Sequence, residues 1–261
     1  VTGSPPIAVL GLGEAGAAIA ADLVAAGARV LGFDPVQAPP DGVEATAQAG
    51  EAAAPATIVL SVNSAAVALE VAETVAPALT PGTLYADLNT SAPALKRAVA
   101  AAVEAGHADF ADVALMEPVP DWGVRTPALV SGTGAERFAS SFALFGMPVT
   151  VVGSEPGAAA ARKLARSVFM KGQAAAIGEA LAAAERLGCE DWLHANIEST
   201  LTSADGRLVR RLVEGSRVHA ARRVDEMAAA VAMLEELGVE PRVAAASQAW
   251  LRSLAGSKVG R

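Results

Sequence analysis

The chain has 261 residues, a formal net charge of −8, 52% hydrophobic residues and only 18% charged ones, and its pI is near 5.0. That length allows one large or two modest domains, and so much apolar material excludes a disordered chain. The acidic balance and an aromatic content of 4% exclude a nucleic-acid partner, since a phosphate backbone asks for a basic footprint and an unpaired strand for stacking platforms.

From the N-terminus, short apolar runs bounded by Gly, Pro, Asp or Asn alternate with alanine-rich stretches of helical period. Residues 7–10, 29–33, 57–62 and 84–88 are predicted as buried strands. Helices are predicted over 15–26, ended by Gly27, over 64–79, ended by Pro81, and over 92–105, ended by Gly106. Such alternation builds βαβ units and a mainly parallel sheet. Further strands are expected at 109–115, 127–131 and 149–152.

After Gly153 the texture changes. Ser154-Glu155-Pro156 supplies a cap, an acidic first turn and an early proline. A helical pattern of about 31 residues then runs to Gly188, roughly 46 Å at 1.5 Å per residue. More helical segments follow over 191–199, 204–214, 216–237 and 242–254. A strand-and-helix domain over 1–153 and an all-helical one over 154–261 are expected. A helix that long is not covered by the segments after it, and alanine-rich faces pack closely on a symmetric partner, so a homodimer through the helical domain is expected.

The single cysteine, Cys189, excludes an intrachain disulfide framework and a thiolate zinc cluster, and His107, His194 and His219 have no metal-ligand spacing. No metal is expected. The most apolar stretch is interrupted by Arg162, Lys163, Arg166, Lys171, Glu179 and Glu185, whereas a membrane span needs about 20 mostly uncharged residues. The opening Val-Thr-Gly-Ser-Pro-Pro has neither the basic nor the apolar part of a secretory leader. A cytoplasmic protein without a membrane partner is the expectation.

Gly11-Leu12-Gly13-Glu14-Ala15-Gly16 follows the first strand and opens the first helix. In this position the first glycine permits a tight turn, the second lets backbone approach a pyrophosphate, and the third lets helix pack on strand. The helix N-terminus adds free N–H groups and partial positive charge. Asp34, at the end of the second strand, is placed to accept from a ribose hydroxyl. Strand, glycine loop, helix and acid together predict a Rossmann dinucleotide site. Asp34 repels a 2′-phosphate and no Arg or Lys lies between it and Glu51, so NAD is favoured, with NADP the alternative.

The opening glycine motif, the stretch Ala86-Asp87-Leu88-Asn89-Thr90-Ser91, and Gly157 followed by Lys163 resemble the 6-phosphogluconate / 3-hydroxyisobutyrate (β-hydroxyacid) dehydrogenase superfamily. Residues 112–132 and 219–227 resemble a poorly characterised branch of it, with a phosphogluconate-dehydrogenase-like C-terminal domain of unknown function. The resemblance covers essentially the whole chain. It implies an α/β fold in which a Rossmann domain is joined to an all-α domain by one long interdomain helix. It also implies an NAD(P)-dependent dehydrogenase or reductase acting on a small molecule, with Val62, Asn63, Asn89 and Thr90 joining the glycine loop and Asp34 around the cofactor.

In that superfamily a lysine early in the interdomain helix is the general acid/base, and Lys163 matches it. The chain has only four lysines (Lys96, Lys163, Lys171 and Lys258) against sixteen arginines, and an alanine-rich setting lowers a lysine pKa by desolvation. Where the family carries Asn four residues later this chain has Ser167, preceded by Arg166. Lys171, a turn further on, falls where phosphogluconate dehydrogenases contact substrate, which implies an anionic group. The family's Ser-Gly-Gly loop, whose amides hold a substrate carboxylate, is replaced by Met116-Glu117-Pro118, and proline has no N–H to donate. The substrate therefore departs from a simple β-hydroxy acid, with Met116, Glu117, Arg166, Lys171 and Arg222 its expected contacts. Arg222 belongs to a basic run from Arg207 to Arg223 that reads either as a solvated helix surface or as an anion clamp. An imine reductase on the same fold and a non-catalytic NAD-binding protein are the alternatives; imine reductases commonly place Asp or Tyr where Lys163 stands.

Overall fold

A computed structural model describes residues 5–256; most of the opening segment weighed above, and Lys258, lie outside them. The chain divides into two compact units, Val1–Arg166 and Ser167–Arg261.

Among the described residues the first unit holds eight strands: β1 (Ile7–Leu10), β2 (Val30–Phe33), β3 (Glu44–Ala45), β4 (Ile58–Ser61), β5 (Leu84–Asp87), β6 (Asp109–Leu115), β7 (Ala128–Ser131) and β8 (Val149–Gly153). They form one sheet in the order β3-β2-β1-β4-β5-β6-β7-β8, parallel except where β6 meets β7. The helices are α1 (Glu14–Ala25), α2 (Ala49–Ala53), α3 (Ala68–Val75), α4 (Pro93–Ala105), α5 (Val119–Trp122) and α6 (Ala135–Ala143).

The central strands read as unbroken apolar runs because both sheet faces are covered. Alternate residues of β1 supply two cores. Ile7 and Val9 pack with Ile19, Leu23 and Phe138 on one face, and Ala8 and Leu10 pack with Val59, Tyr85 and Val99 on the other. After β3 the chain crosses back past β1 to β4, so strand order reverses between β1 and β4. Ligands of such sheets bind outside the carboxyl ends of the strands at that reversal.

Three elements of this unit differ from the periodicity reading. β3 is a two-residue edge strand with both residues exposed, too short and polar to show a period. The helix expected over 64–79 forms only as α3, followed by a 3-10 turn at Ala76–Ala78, because Pro77 has no N–H for the helical ladder. β7 reverses direction after α5 and a second 3-10 turn at Gly123–Arg125, which Asp22 of α1 pins by accepting the Val124 N–H at 2.9 Å.

α7 (Ala158–Leu187) is a single 30-residue helix; its turns up to Arg166 count with the first unit and the remainder with the second. There follow α8 (Glu190–Thr202), α9 (Gly206–Val218), α10 (Ala220–Glu236) and α11 (Arg242–Gly256). The continuous helix expected over 216–237 is interrupted at His219, which is not helical. Ser216 accounts for the break: its hydroxyl donates to the Leu212 carbonyl at 2.6 Å and accepts from Arg223, a back-bonding that bends helices. Glu179 of α7 accepts the Val243 and Ala244 N–H groups at 2.7 and 2.8 Å, so a carboxylate meets the positive end of α11. The buried apolar cluster of this unit is thin, Ala183, Leu234 and Ala244, while Trp192, Val209, Leu212, Val213 and Trp250 are exposed.

Candidate functional site

At the end of β1, Gly11 has φ +101°, and a Cβ there would meet the Val62 carbonyl oxygen at 2.2 Å. A Cβ on Gly16 would meet the Gly11 carbonyl oxygen at 1.9 Å. Both glycines are therefore required by the protein's own packing. Gly13 differs: its φ is −64°, which any residue adopts, and nothing lies within 4 Å of its virtual Cβ. The space it keeps open faces outward at the uncapped N-terminus of α1, next to Glu14 and Ala15.

Asp34 closes the other side of this loop. Its Oδ2 accepts the Leu12 N–H at 2.7 Å, and its Oδ1 accepts the Val36 and Gln37 N–H groups at 2.8 and 2.9 Å. Partial burial pushes the carboxyl pKa up, but these three amides outweigh it and hold the group below its ordinary value. Oδ1 is filled by two of these bonds, and Oδ2 keeps a lone pair for a further donor. Beside Asp34 lies a mostly apolar cavity of about 270 Å³ lined by Phe33, Pro35, Asn63, Val67, Glu70 and Val71. Sequence reasoning missed Phe33, Val67, Glu70 and Val71, because residues from the end of β2 and from α3 meet only in the folded sheet.

At the ends of β4 and β5, Ser61, Asn63, Asp87 and Asn89 interlock. Asn89 Oδ1 accepts the Asn63 backbone N–H at 2.5 Å, and Asn89 Nδ2 donates to Asp87 Oδ1 at 2.6 Å and to Ser61 Oγ at 3.1 Å. Val62, which follows β4, donates its N–H to the Leu10 carbonyl at 2.8 Å. The next residue after this corner, Thr90, accepts from Lys163 Nζ at 2.8 Å. Burial, then the positive charges of Lys96 and Arg166, hold the Lys163 amine below the ordinary lysine range, with Asp112 pulling the other way. A lysine so placed is a proton acceptor and donor within reach of the sheet's carboxyl edge.

Beyond β6, Arg166 donates to the Met116 carbonyl at 3.1 Å and pairs with Glu117 at 3.3 Å, so these three expected residues are brought together. Ser167 and Lys171 stand on the next turns of α7, in the second unit, Ser167 half-buried and Lys171 exposed. Arg222 is exposed and pairs with Glu226 one turn on, at 3.5 Å. The residues that sequence reasoning passed over are Lys96, Asp87, Asp112 and Ser131, all buried. The available signal was a carboxylate inside each of two apolar strands, since a buried charge requires a partner.

Among the described residues no cluster of three or more His, Cys, Asp or Glu could hold a metal ion, and no helix is long and apolar enough to cross a membrane. The open Gly13 cradle, the carboxylate of Asp34 and the mostly apolar cavity beside it fit a dinucleotide.

Fold and loop together define a Rossmann-type NAD(P)-binding protein. The profile of the NAD binding domain of 6-phosphogluconate dehydrogenase matches residues 6–116, and that of a domain of unknown function, DUF1932, matches residues 184–254. A conserved hypothetical protein from Sinorhizobium meliloti 1021 is 30% identical, with a TM-score of 0.64 over 96% of this chain and 88% of that one. The conserved protein MTH1747, of unknown function and described as structurally similar to 3-hydroxyacid dehydrogenases, is 27% identical, with a TM-score of 0.63 over 97% and 98%. An imine reductase from Myxococcus stipitatus in complex with NADP+ shares the fold at 21% identity, with a TM-score of 0.83 over 97% and 95%. An uncharacterized 28.5 kDa protein of Methanothermus fervidus is 28% identical over 144 residues, 55% of each chain, so that match spans about half of the relative's length. The chain belongs to the 6-phosphogluconate / 3-hydroxyisobutyrate dehydrogenase superfamily, in the branch that follows an NAD-binding domain with this domain of unknown function.

Proposed function

We propose that the protein is an NAD-dependent dehydrogenase or reductase in which Lys163 exchanges a proton with a substrate hydroxyl. The observation that carries this reading is the Lys163 amine, held below its ordinary pKa and hydrogen-bonded to Thr90 at 2.8 Å at the end of β5. When bound, the nicotinamide supplies hydride transfer at the substrate carbon. The neutral amine accepts the hydroxyl proton in oxidation, and the ammonium returns it in reduction. Gly13 and Asp34 bind the pyrophosphate and adenosine ribose, and Val62, Asn63, Asn89 and Thr90 line the way to the reacting end. The Glu117–Arg166 pair stands where the family's carboxylate-binding loop would be, with Pro118 unable to donate. A substrate other than a simple β-hydroxy acid fits that loop better, and Ser167, Lys171 and Arg222 are the proposed contacts for its anionic part. A screen of hydroxy acids, phosphorylated polyols and cyclic imines by thermal shift in saturating NAD(H) tests the reading, since a ligand of the native state raises the melting temperature. Stabilisation by imines alone sinks it in favour of imine reduction.

NAD is expected to bind more tightly than NADP in parallel titrations, and a tighter NADP constant refutes the assignment. Asp34→Ala should weaken NAD and narrow the gap. Asp34→Arg should not by itself convert the protein to NADP, because a guanidinium has no acceptor for the Leu12, Val36 and Gln37 amides that Asp34 holds.

The exposed Trp192, Val209, Leu212, Val213 and Trp250 of the second unit fit a second copy of this chain. Sedimentation at micromolar concentration is expected to give a dimer or larger. A monomer that retains activity contradicts this.

A further inference from the structure

Lys96 of α4 is 1% exposed. Its ammonium donates to the Asp87 carbonyl at 2.7 Å and forms ion pairs with Asp87 Oδ2 at 3.1 Å and Asp112 Oδ1 at 3.2 Å, two buried carboxylate oxygens that accept no hydrogen bond. Neither aspartate is exposed. An ion triad this deep is a poor route to stability, because desolvation offsets most of the Coulombic gain. What the triad holds is more informative. Through Asp87 it reaches Asn89 and then the Asn63 N–H. Through Asp112 Oδ2 it reaches the Ala160 N–H at 3.0 Å, and through Ser131 Oγ, which donates to the same carboxylate, it reaches the Ala159 N–H at 3.0 Å. Thr90 follows Asn89 in the chain, and Lys163 lies one helical turn beyond Ala159 and Ala160. One ammonium therefore stands beneath both partners of the Lys163–Thr90 hydrogen bond.

We propose that Lys96 is a positioning residue for proton transfer at Lys163, holding the strand end that carries Thr90 and the helix turn that carries Lys163 in one register while placing a positive charge beneath the Lys163 amine. The inference rests on the reading of Lys163 given above. The charged groups acting on that amine are Lys96 from α4, Arg166 from α7 and Asp112 from β6; the two cations disfavour its charged form and Asp112 favours it. Lys96 and Asp112 thus act on Lys163 with opposite sign although they are bound to each other.

That opposition separates positioning by charge from mere scaffolding. Carbon-13 NMR of the full chain, labelled at its four lysines, follows the Lys163 titration without any substrate, and the signal is assigned by its loss in Lys163→Arg. Lys96→Met should move the Lys163 midpoint up by about one pH unit, and Asp112→Asn should move it down by a similar amount. If the triad is only scaffolding, both variants loosen the same turn and both midpoints move up toward that of free lysine. Shifts in the same direction, or none, overturn the proposal. Should Lys96→Met fail to melt cooperatively, Lys96→Gln keeps a donor for the Asp87 carbonyl and replaces it. If neither folds, Asp112→Asn decides alone: a downward shift supports the proposal, and an upward or absent one overturns it. Retained turnover in Lys163→Met beside opposite shifts refutes the catalytic reading, whereas lost turnover beside same-direction shifts refutes the role of Lys96.

Discussion

Lys163→Met is expected to lose about 10²–10⁴-fold in turnover, the usual contribution of a positioned acid or base, while NAD affinity stays within a few-fold of the wild type. The two effects separate because around the glycine loop Asp34 accepts from Leu12, Val36 and Gln37 and the Gly13 carbonyl accepts from Ala17, whereas Lys163 donates to Thr90. In the proposed mechanism the neutral amine is the active form for oxidation, so kcat/KM should rise with pH through the Lys163 midpoint, and reduction should fall through the same range. Burial and the charges of Lys96 and Arg166 place that range below the ordinary lysine value of 10.5, and the Met variant should lose it from both profiles. Stability carries the same signature. Between the folded-state midpoint and 10.5 the unfolded chain binds more proton than the folded one, so wild-type stability gains as pH rises through that window and the variant lacks the gain. Full turnover in Lys163→Met refutes the assignment and shifts weight to imine reduction or to binding without turnover.

Gly13→Ala and Gly16→Ala, two additions of one methyl group in the same loop, are expected to fail in different ways. At Gly16 the new Cβ falls 1.9 Å from the Gly11 carbonyl oxygen, a backbone atom with no rotamer to change. Strain of this kind costs about 3 kcal/mol, so a large drop in melting temperature is expected even without cofactor. At Gly13 the new Cβ meets no protein atom within 4 Å and its φ of −64° suits alanine, so the apo variant should melt with the wild type. Its methyl group occupies space proposed for the pyrophosphate. Overpacking by a methyl costs about 1–3 kcal/mol, which is roughly 5–150-fold in affinity, and NAD titration should read that loss. A Gly13→Ala variant that binds NAD like the wild type shows that the cradle is not where the pyrophosphate lies.

The N-terminal half was legible because its signals are local. Gly11, Gly13 and Gly16 stand at fixed spacing between an apolar run and a helical one, and Asp34 ends the next strand, so strand, turn, helix and acid follow from neighbours in sequence. Lys163 was found by resemblance and by the scarcity of lysine rather than by any local pattern. The short elements were not legible: β3 is two exposed residues and α5 is four, below the length at which a period exists.

What the sequence by itself determined is the class: a dinucleotide fold in the first half, a helical second half, and the polarity of the cofactor loop, each dictated by chain-local periodicity and glycine spacing. What only the tertiary structure decided is which groups meet. Lys96, Asp87 and Asp112 come from α4, β5 and β6 and become one buried triad only because β5 and β6 are paired in register, Asp87 opposite Asp112. Gly13 differs from its fellow glycines only in what surrounds it. Asp34, expected only to face a ribose, also holds the glycine loop, since the Leu12 amide reaches it across the gap between two strands. Contacts between residues far apart in the chain carry no periodic signature, and the chemistry of this site is made of them.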